Sequence, residues 1–436
     1  MDRILKLVYD NWFEGSPVAN GLHPAVFSYL QTQQDKSTVM NSSLVAFRDH
    51  NNFRLYFKKH NPTGVDVSPN EIVDDSAIYL YPIEIRTGLA SVHVNHHILL
   101  ENRNYTYSLK DTISSTVLNY INQGKVKLLI NYIHDPINNI SDIENIEQYC
   151  EKNNIESSNV IIVSGNSFNA YTGKIKICKG HLFEQQAAEK MLAYPHKSIL
   201  GYISDNVKPS ELNPNSLRTK KFLSFNRQMS HRPHRVMIAY LALKHNLLKD
   251  GFFSFIGNVG IAEVSSILQQ FTLTNNLALE IHKLIPLEID TQNLTSDKKT
   301  SFNTDNNKKD LYLDTYIHLT SETGFSTTDV FFSEKTFRPI INLQPFLSFG
   351  NAGCLKDLQE LGFKTFHPYI DESYDLEINP TRRMQLLEVE LQKLARMSIE
   401  QVHQLYYSLT DILIHNQEHL KTFKDTDPYR DIIKVI

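Results

Sequence analysis

Three charged residues lie close together where a strand-like apolar run meets a helix-like segment. The stretch DVFFSEKTFRPIINLQPFLSFG (329–350) contains Glu334, Lys335 and Arg338, and Glu322 ends the strand-like segment before it. A carboxylate there can accept hydrogen bonds from two ribose hydroxyls, and a lysine can neutralise a diphosphate. Lys335 and Arg338 lie three residues apart, on one face of a helix. The alternative interpretation is a surface salt bridge beside a helix start.

A second polar cluster follows the apolar segment KKFLSFN (220–226), just before another helix-like segment. Its residues are Asn226, Arg227, His231, Arg232, His234 and Arg235. The N–H groups at a helix start and guanidinium groups that match phosphate oxygens bidentately together make an anion site. A solvated basic loop is the alternative. Positive charge at a helix start opposes the macrodipole, so the pattern favours an anion site.

The elements that would position both clusters can be predicted from alternating strand-like and helix-like segments. Apolar runs without strict alternation, separated by helix-length segments, are typical of parallel sheets covered on both faces. The pattern occurs on both sides of a turn-rich connection at 205–220. We therefore predict an α/β protein with two Rossmann-like domains, residues 1–205 and 206–436, facing each other across a cleft. The predicted strands are 77–85, 126–133, 159–166, 220–226, 251–257 and 316–323, with a further strand leading into Ser333, and the predicted helices include 234–248 and 381–416.

Composition narrows the class of protein. The 436 residues are 41% hydrophobic and 21% charged, which is ordinary for a globular chain. A formal net charge of -4 gives no broad basic field, so extended contact with nucleic acid is not expected. The 3 cysteines predict neither a disulfide framework nor a zinc site. No run approaches the roughly 20 apolar residues of a membrane span and no secretory signal is present, so we expect a cytoplasmic protein.

Four segments resemble the fucosyltransferase-type glycosyltransferases of the GT-B fold, specifically their family-10-like nucleotide-binding half. HLTSETG (318–324) and VFFSEK (330–335) are similar to two motifs of that half. KFLSFNRQMSHRPHRV (221–236) is similar to its phosphate-binding arginine segment, and GFKTFHPYIDESYD (362–375) to a stretch in bacterial and phage-encoded relatives. The resemblance covers roughly 220–380.

The resemblance implies a metal-independent, inverting glycosyltransferase whose donor is a nucleotide-diphosphate sugar, with GDP as one candidate base. Lys335 and Arg235 would bind the diphosphate and Glu334 the ribose, and the acceptor would be a saccharide or glycan hydroxyl. The full predicted set of donor-binding residues is Asn226, Arg227, Arg235, Glu322, Glu334, Lys335 and Arg338.

An inverting reaction needs a base in the first domain to take the proton of the acceptor hydroxyl. Asp135, which follows the strand-like segment 126–133, is the leading candidate, and Glu84 and His134 are the others. Two other functions stay open at this level. One is a non-catalytic nucleotide-binding module, and the other is transfer of sugar to bases of nucleic acid.

Overall fold

A computed structural model describes part of the N-terminal half of the chain and most of the C-terminal half. The described residues are 4–8, 65–67, 72, 77–84, 95–100, 103–108, 113, 115–132, 137, 140–166, 168, 171–181, 183–184, 187–188, 206–287, 309–327, 329–423 and 432–436. The chain divides into two compact units, residues 1–182 with 427–436, and residues 183–426. Among the described helices, none has the length and apolar character needed to cross a membrane.

The first unit is built on a parallel sheet. In the part that is described, its strands are β1 (Ile4–Val8), β2 (Val65–Val67), β3 (Ala77–Glu84), β4 (Asn95–Leu100), β5 (Arg103–Ser108), β6 (Val126–Tyr132), β7 (Val160–Ser164) and β8 (Lys176–Lys179). Six of them form one sheet in the order β2-β1-β3-β6-β7-β8, and β4 and β5 pair as an antiparallel hairpin. The helices of this unit include α1 (Ser115–Asn122) and α2 (Ile140–Lys152). The predicted strands at 77–85, 126–133 and 159–166 are confirmed.

The second unit has a parallel sheet of its own. Its described strands are β9 (Lys220–Asn226), β10 (Gly251–Phe255), β11 (Thr315–Ser321) and β12 (Phe346–Phe349), in the order β10-β9-β11-β12. The helices up to β12 and just beyond it are α3 (Pro233–Lys244), α4 (Ile261–Gln270), α5 (Ala278–Leu284), α6 (Lys309–Leu313), α7 (Glu334–Ile341) and α8 (Cys354–Glu360). The chain is therefore α/β with two Rossmann-like units, and the predicted strands at 220–226, 251–257 and 316–323 are confirmed.

The strand order of the second sheet reverses between β9 and β11. From β9 the chain goes to β10 on one side, and it then returns to β11 on the other side. In open α/β sheets such a reversal leaves a crevice outside the carboxyl ends of the strands, and ligands bind there. Ile317 is in register with Phe222, so Ser321 and Asn226 end the two strands at the same level.

The predicted strand leading into Ser333 is wrong. Residues 329–333 form no strand, although Val330, Phe331 and Phe332 are buried. The physical reason is that β11 already pairs with β9 on one side and β12 on the other, so this segment has no free edge of β11 to join. Its apolar side chains are therefore buried because they pack across the carboxyl end of the sheet, and the segment is not one of the strands.

The predicted helical segment 381–416 is confirmed as helix but is divided. It consists of α9 (Pro380–Arg396), α10 (Ile399–Ser408) and α11 (Thr410–Lys421). Ser398 has extended backbone, and its side chain accepts from the N–H of Gln401 in a capping box, so a new helix starts there. The last helix, α12 (Ile432–Val435), belongs to the first unit, where Ile432 shares a core with Leu80 and Ile161.

Candidate functional site

The residues at the carboxyl ends of β9 and β11 form the candidate site of the second unit. Asn226 ends β9, and Ser321 ends β11 with Glu322 directly after it. Two helices begin beside these strand ends: α3, which follows β9, and α7, which follows β11. Free N–H groups and the positive end of the helix dipole make such helix starts favourable places for an anion.

The start of α7 is fixed by Ser333. This residue has extended backbone, and its hydroxyl accepts a hydrogen bond from the N–H of Lys335 at 3.4 Å, as an N-cap does. Glu334 and Lys335 consequently occupy the first turn, and Arg338 follows one turn later. The three charged side chains predicted from the sequence are thus presented by one short helix.

Glu322 is fully buried and joins the end of β11 to the start of α7. Its Oε2 accepts from the N–H of Thr323 at 2.9 Å and from the hydroxyl of Ser333 at 2.7 Å. Its Oε1 accepts from the N–H of Ser333 at 3.2 Å and from the N–H of Thr336 at 3.0 Å. The hydroxyl of Thr336 also donates to Oε1. Both carboxylate oxygens are therefore engaged by the protein itself.

Glu334 lies between two cations. Lys335 Nζ is 3.0 Å from Glu334 Oε1, and Arg338 Nη2 is 4.0 Å from the same oxygen. Lys335 Nζ also donates to Ser333 Oγ at 3.1 Å and to Thr323 Oγ1 at 3.4 Å. The side chains of Glu334, Lys335 and Arg338 are 29%, 22% and 18% exposed, so all three remain within reach of a ligand.

The start of α3 adds two arginines to this group. Arg232 precedes the helix and donates from Nη1 to the carbonyl of Thr323 at 2.6 Å. Thr323 is therefore contacted from both sides, by Arg232 through its carbonyl and by Lys335 through its hydroxyl. Arg235 is buried one turn into the helix and donates from Nη1 to the carbonyl of Gln228 at 2.9 Å.

His234 attaches α3 to the end of β11. Its Nε2 lies 2.7 Å from the carbonyl oxygen of Glu322, and its ring stacks on Phe325 with centroids 5.5 Å apart. Burial, followed by the charge of Arg235, holds the pKa of His234 well below its usual value. The neutral ring must carry its proton on Nε2, because a carbonyl oxygen only accepts. His234 is thus a neutral structural donor beside the basic cluster.

Two pKa shifts describe the electrostatics of the site. Burial and then the charge of Arg232 lower the pKa of Arg235 to about 10. Burial opposes ionisation of Glu334, but Lys335 and Arg338 outweigh it and lower the pKa of Glu334 to about 2. The low pKa of Glu334 reflects the two cations beside it, and the low pKa of Arg235 reflects a buried cation whose charge an anionic ligand would stabilise.

Several buried polar atoms at these strand ends have no hydrogen-bond partner among the described residues. They include Asn226 Oδ1, Ser321 Oγ and Arg235 Nε, each on a residue less than one-tenth exposed. The amide nitrogen of Asn226 donates to Ser224 Oγ at 3.0 Å, so only its oxygen is unpaired. Buried unpaired polar groups are rare in folded proteins.

A supporting arginine comes from a distant helix. Arg383 of α9 is buried and donates to the carbonyls of Gly350 at 3.2 Å and Glu377 at 2.6 Å, and also to that of Phe325. Its guanidinium carbon lies 4.4 Å from the ring centroid of Phe325. Arg383 therefore fixes the loop after β11 to the loop after β12. This role could not be predicted from the sequence, because an arginine in a helix resembles any solvated charge.

Most of the predicted donor-binding residues come together at the carboxyl ends of β9 and β11. These are Asn226, Arg235, Glu322, Glu334, Lys335 and Arg338. Arg227 is exposed in the loop that leaves β9. Of the predicted bases, Glu84 ends β3, whereas His134 and Asp135 lie outside the described residues. Within the described ranges, no group of three or more His, Cys, Asp and Glu side chains is arranged to hold a metal ion.

Comparisons with known proteins add little to this description. No protein-family model and no curated protein matches the chain. Among solved structures, a trehalose-6-phosphate synthase, OtsA, matches with a TM-score of 0.38 and 9% identity, covering 99% of both chains. An OtsA apo structure matches with a TM-score of 0.35 and 10% identity, covering 96% of this chain and 97% of the other. Both scores are low, so the likeness identifies neither a family nor a reaction.

Proposed function

We propose that the chain is a glycosyltransferase that moves a sugar from a nucleoside-diphosphate donor to a hydroxyl of a saccharide or glycan. The observation that carries this proposal is the convergence of basic side chains where the strand order reverses. Arg232 and Lys335 meet at Thr323, while Arg235 and Arg338 lie within electrostatic reach of each other beside the same helix starts. A diphosphate is the anion whose charge and size match such a group.

The two carboxylates of the site suit different tasks. Glu322 is buried with both oxygens engaged, whereas Glu334 is partly exposed and, with its pKa of about 2, ionised at neutral pH. An ionised, accessible carboxylate accepts hydrogen bonds and cannot donate them, so beside a diphosphate it suits the ribose hydroxyls. This division supports the roles proposed for Glu334 on the ribose and for Lys335 and Arg235 on the diphosphate.

The same basic side chains can perform the chemistry that the leaving group requires. Transfer of the sugar breaks the bond between its anomeric carbon and the diphosphate, on which negative charge then develops. Lys335 and Arg235 would stabilise that charge, the task that a divalent cation performs in other transferases. The proposed acid–base partner is Asp135, Glu84 or His134, which would take the proton of the acceptor hydroxyl. A fucosyl donor linked to GDP is the specific form that the sequence motifs favour.

A panel of GDP-, UDP-, dTDP- and ADP-linked sugars in a thermal-shift assay tests the proposal. A ligand that binds only the folded chain raises its apparent stability, and we expect one base of the panel to do so. Isothermal titration with the matching nucleoside diphosphate should then show about a tenfold or greater loss of affinity in Lys335→Ala, because a charge-assisted contact is removed. Mass spectrometry of products formed with a mixture of oligosaccharide acceptors checks transfer itself.

Lys356→Ala is the matched control for that titration. Lys356 lies in the first turn of α8 but is 67% exposed, and its ion pair within the described part of the chain is with the similarly exposed Glu360 at 3.7 Å. Its substitution should leave nucleotide affinity unchanged. A panel in which no nucleotide sugar or nucleoside diphosphate binds would refute the proposed function. Normal binding by Lys335→Ala would instead refute the role given to that lysine, and binding without transfer to any acceptor would favour a binding module.

A further inference from the structure

The carboxylate of Glu322 completes the cap of α7 from another element. In a capping box, the side chain at the third helical position reaches back to the N–H of the N-cap residue. Here that third position is Thr336, which has no carboxylate, and Glu322 at the end of β11 accepts from the N–H groups of both Ser333 and Thr336. A negative charge at this place is also favoured by the dipole of α7.

The backbone carbonyls of Glu322 and of the next residue accept hydrogen bonds from side chains at the start of α3. The carbonyl of Glu322 accepts from His234 at 2.7 Å, and the next carbonyl, that of Thr323, accepts from Arg232 at 2.6 Å. The side chain of Thr323 in turn contacts Lys335 Nζ at 3.4 Å. One dipeptide at the end of β11 thus connects α3 and α7, the two helices that carry the basic side chains.

We propose that Glu322 is a positioning residue, which sets the location of Lys335 by fixing the start of α7 and makes no contact with the donor. The inference rests on the proposed function for the identity of the ligand. It assigns the ribose to Glu334 alone, because five hydrogen bonds from Thr323, Ser333 and Thr336 already occupy the oxygens of Glu322. Glu322 acts through Ser333. The hydroxyl of Ser333 donates to the carboxylate of Glu322 and accepts from Lys335 Nζ at 3.1 Å.

A double-mutant cycle with GDP, UDP, dTDP and ADP as probes tests this assignment. Glu322→Gln places an amide N–H₂ against backbone N–H donors, so the start of α7 can no longer be held as it is. We expect Lys335→Ala to weaken binding about tenfold in the wild type and less than about twofold in the Glu322→Gln protein, since residues that act through one another are not additive. Effects that multiply in the double variant would show that Glu322 contacts the nucleotide independently, and would overturn the proposal.

A second readout needs no nucleotide and separates this inference from the proposed function. Acetylation of lysine amines, followed by mass spectrometry, should proceed at least severalfold faster at Lys335 in Glu322→Gln than in the wild type, while exposed Lys356 reacts at the same rate in both. An unchanged rate at Lys335 would overturn the positioning role. If none of GDP, UDP, dTDP and ADP binds the wild type, the proposed function fails, and this measurement still decides the role of Glu322.

Two further variants guard against a general loss of folding. Thr336→Val keeps the shape of the side chain and removes one donor to Glu322, so it should raise the reactivity of Lys335 by an intermediate factor. Asp375→Asn is the matched control, because Asp375 is buried and accepts from the N–H groups of Leu355 and Lys356 at the start of α8. It should destabilise the chain in a similar way and leave the reactivity of Lys335 unchanged. A rise of equal size in Asp375→Asn would show that the effect is merely structural.

Discussion

Two buried arginines lie at opposite ends of the second sheet and are treated differently by the protein. Arg218, at the amino ends of the strands, donates from Nη1 to the carbonyls of Tyr312 and Thr315. Its guanidinium carbon lies 4.0 Å from the ring centroid of Tyr406. The hydrogen bonds and the aromatic face together compensate for the loss of water around the cation.

Arg235, at the carboxyl ends, has much less of this compensation. It donates from Nη1 to a single carbonyl, that of Gln228, and its Nε has no partner in the described part of the chain. After burial, the charges of Arg232 and Arg338 lower the pKa of Arg235 further, and those of Glu334 and Glu322 raise it. The comparison shows how a structural arginine differs from the arginine that we propose binds the diphosphate. The first uses its donors on its own chain, and the second keeps donors unused beside other cations.

The largest effect that this comparison predicts is on folding. Arg218→Met should lower the free energy of unfolding by about 2–4 kcal/mol, because it removes buried hydrogen bonds and a cation–π contact that the thioether cannot replace. Urea unfolding measures the change. Nucleotide affinity should stay as in the wild type under conditions where the variant is folded. A stability loss below about 1 kcal/mol would contradict the structural role of Arg218.

Arg235→Met is the matched substitution at the other end of the sheet, with the opposite expected result. Affinity for a nucleoside diphosphate should fall about thirtyfold, or roughly 2 kcal/mol, because a charge-assisted contact to the diphosphate is lost. The free energy of unfolding should change by less than about 1 kcal/mol, since the substitution removes a hydrogen bond to the carbonyl of Gln228 but also removes a buried cation. The repulsion by Arg232 and Arg338 is lost together with the attraction by Glu334 and Glu322, and these two changes act in opposite directions. Titration and urea unfolding of one preparation provide both values. Destabilisation as large as that of Arg218→Met would remove the distinction between the two arginines.

The charges of the site could be predicted from the sequence because their context is local. Arg235, Glu334 and Lys335 each stand at a helix start that follows an apolar run, and this pattern is readable within a dozen residues. Parallel strands place their carboxyl ends on one edge of the sheet. The fold class alone was therefore enough to predict that the two clusters lie close together.

The supports of the site could not be predicted, because they depend on contacts between distant segments. Arg383 reaches Phe325 from a helix that starts 55 residues later in the chain, where its charge resembles that of a solvated residue. Residues 330–333 have the apolar pattern of a strand, yet whether they join a sheet depends on which edges other strands have already taken. The local apolar pattern of a sequence therefore predicts which residues are buried better than it predicts which segments pair as strands.

His318 lies on β11, between the amino and carboxyl ends of the second sheet. It is a third buried basic side chain, and its environment differs from those of Arg218 and Arg235. Its Nδ1 is 2.9 Å from Thr320 Oγ1, its ring stacks on Tyr312, and its Nε2 has no partner among the described residues. Burial, followed by the charge of Arg338, lowers the pKa of His318 to about 3. Arg218 has hydrogen-bond partners within the chain and Arg235 is proposed to bind a ligand, whereas the buried ring of His318 loses its charge.

The smallest predicted effect follows from that loss of charge. Below about pH 6.5 the unfolded chain binds a proton at His318, and the folded chain does not until the pH approaches about 3. The unfolded state therefore holds more protons in this window. The free energy of unfolding consequently decreases as the pH is lowered, by up to about 1.4 kcal/mol per pH unit. His318→Phe keeps an aromatic ring beside Tyr312 and removes this contribution. Urea unfolding from about pH 7 to about pH 5 should show a shallower loss of stability in the variant, and parallel curves would mean that His318 is protonated inside the folded sheet.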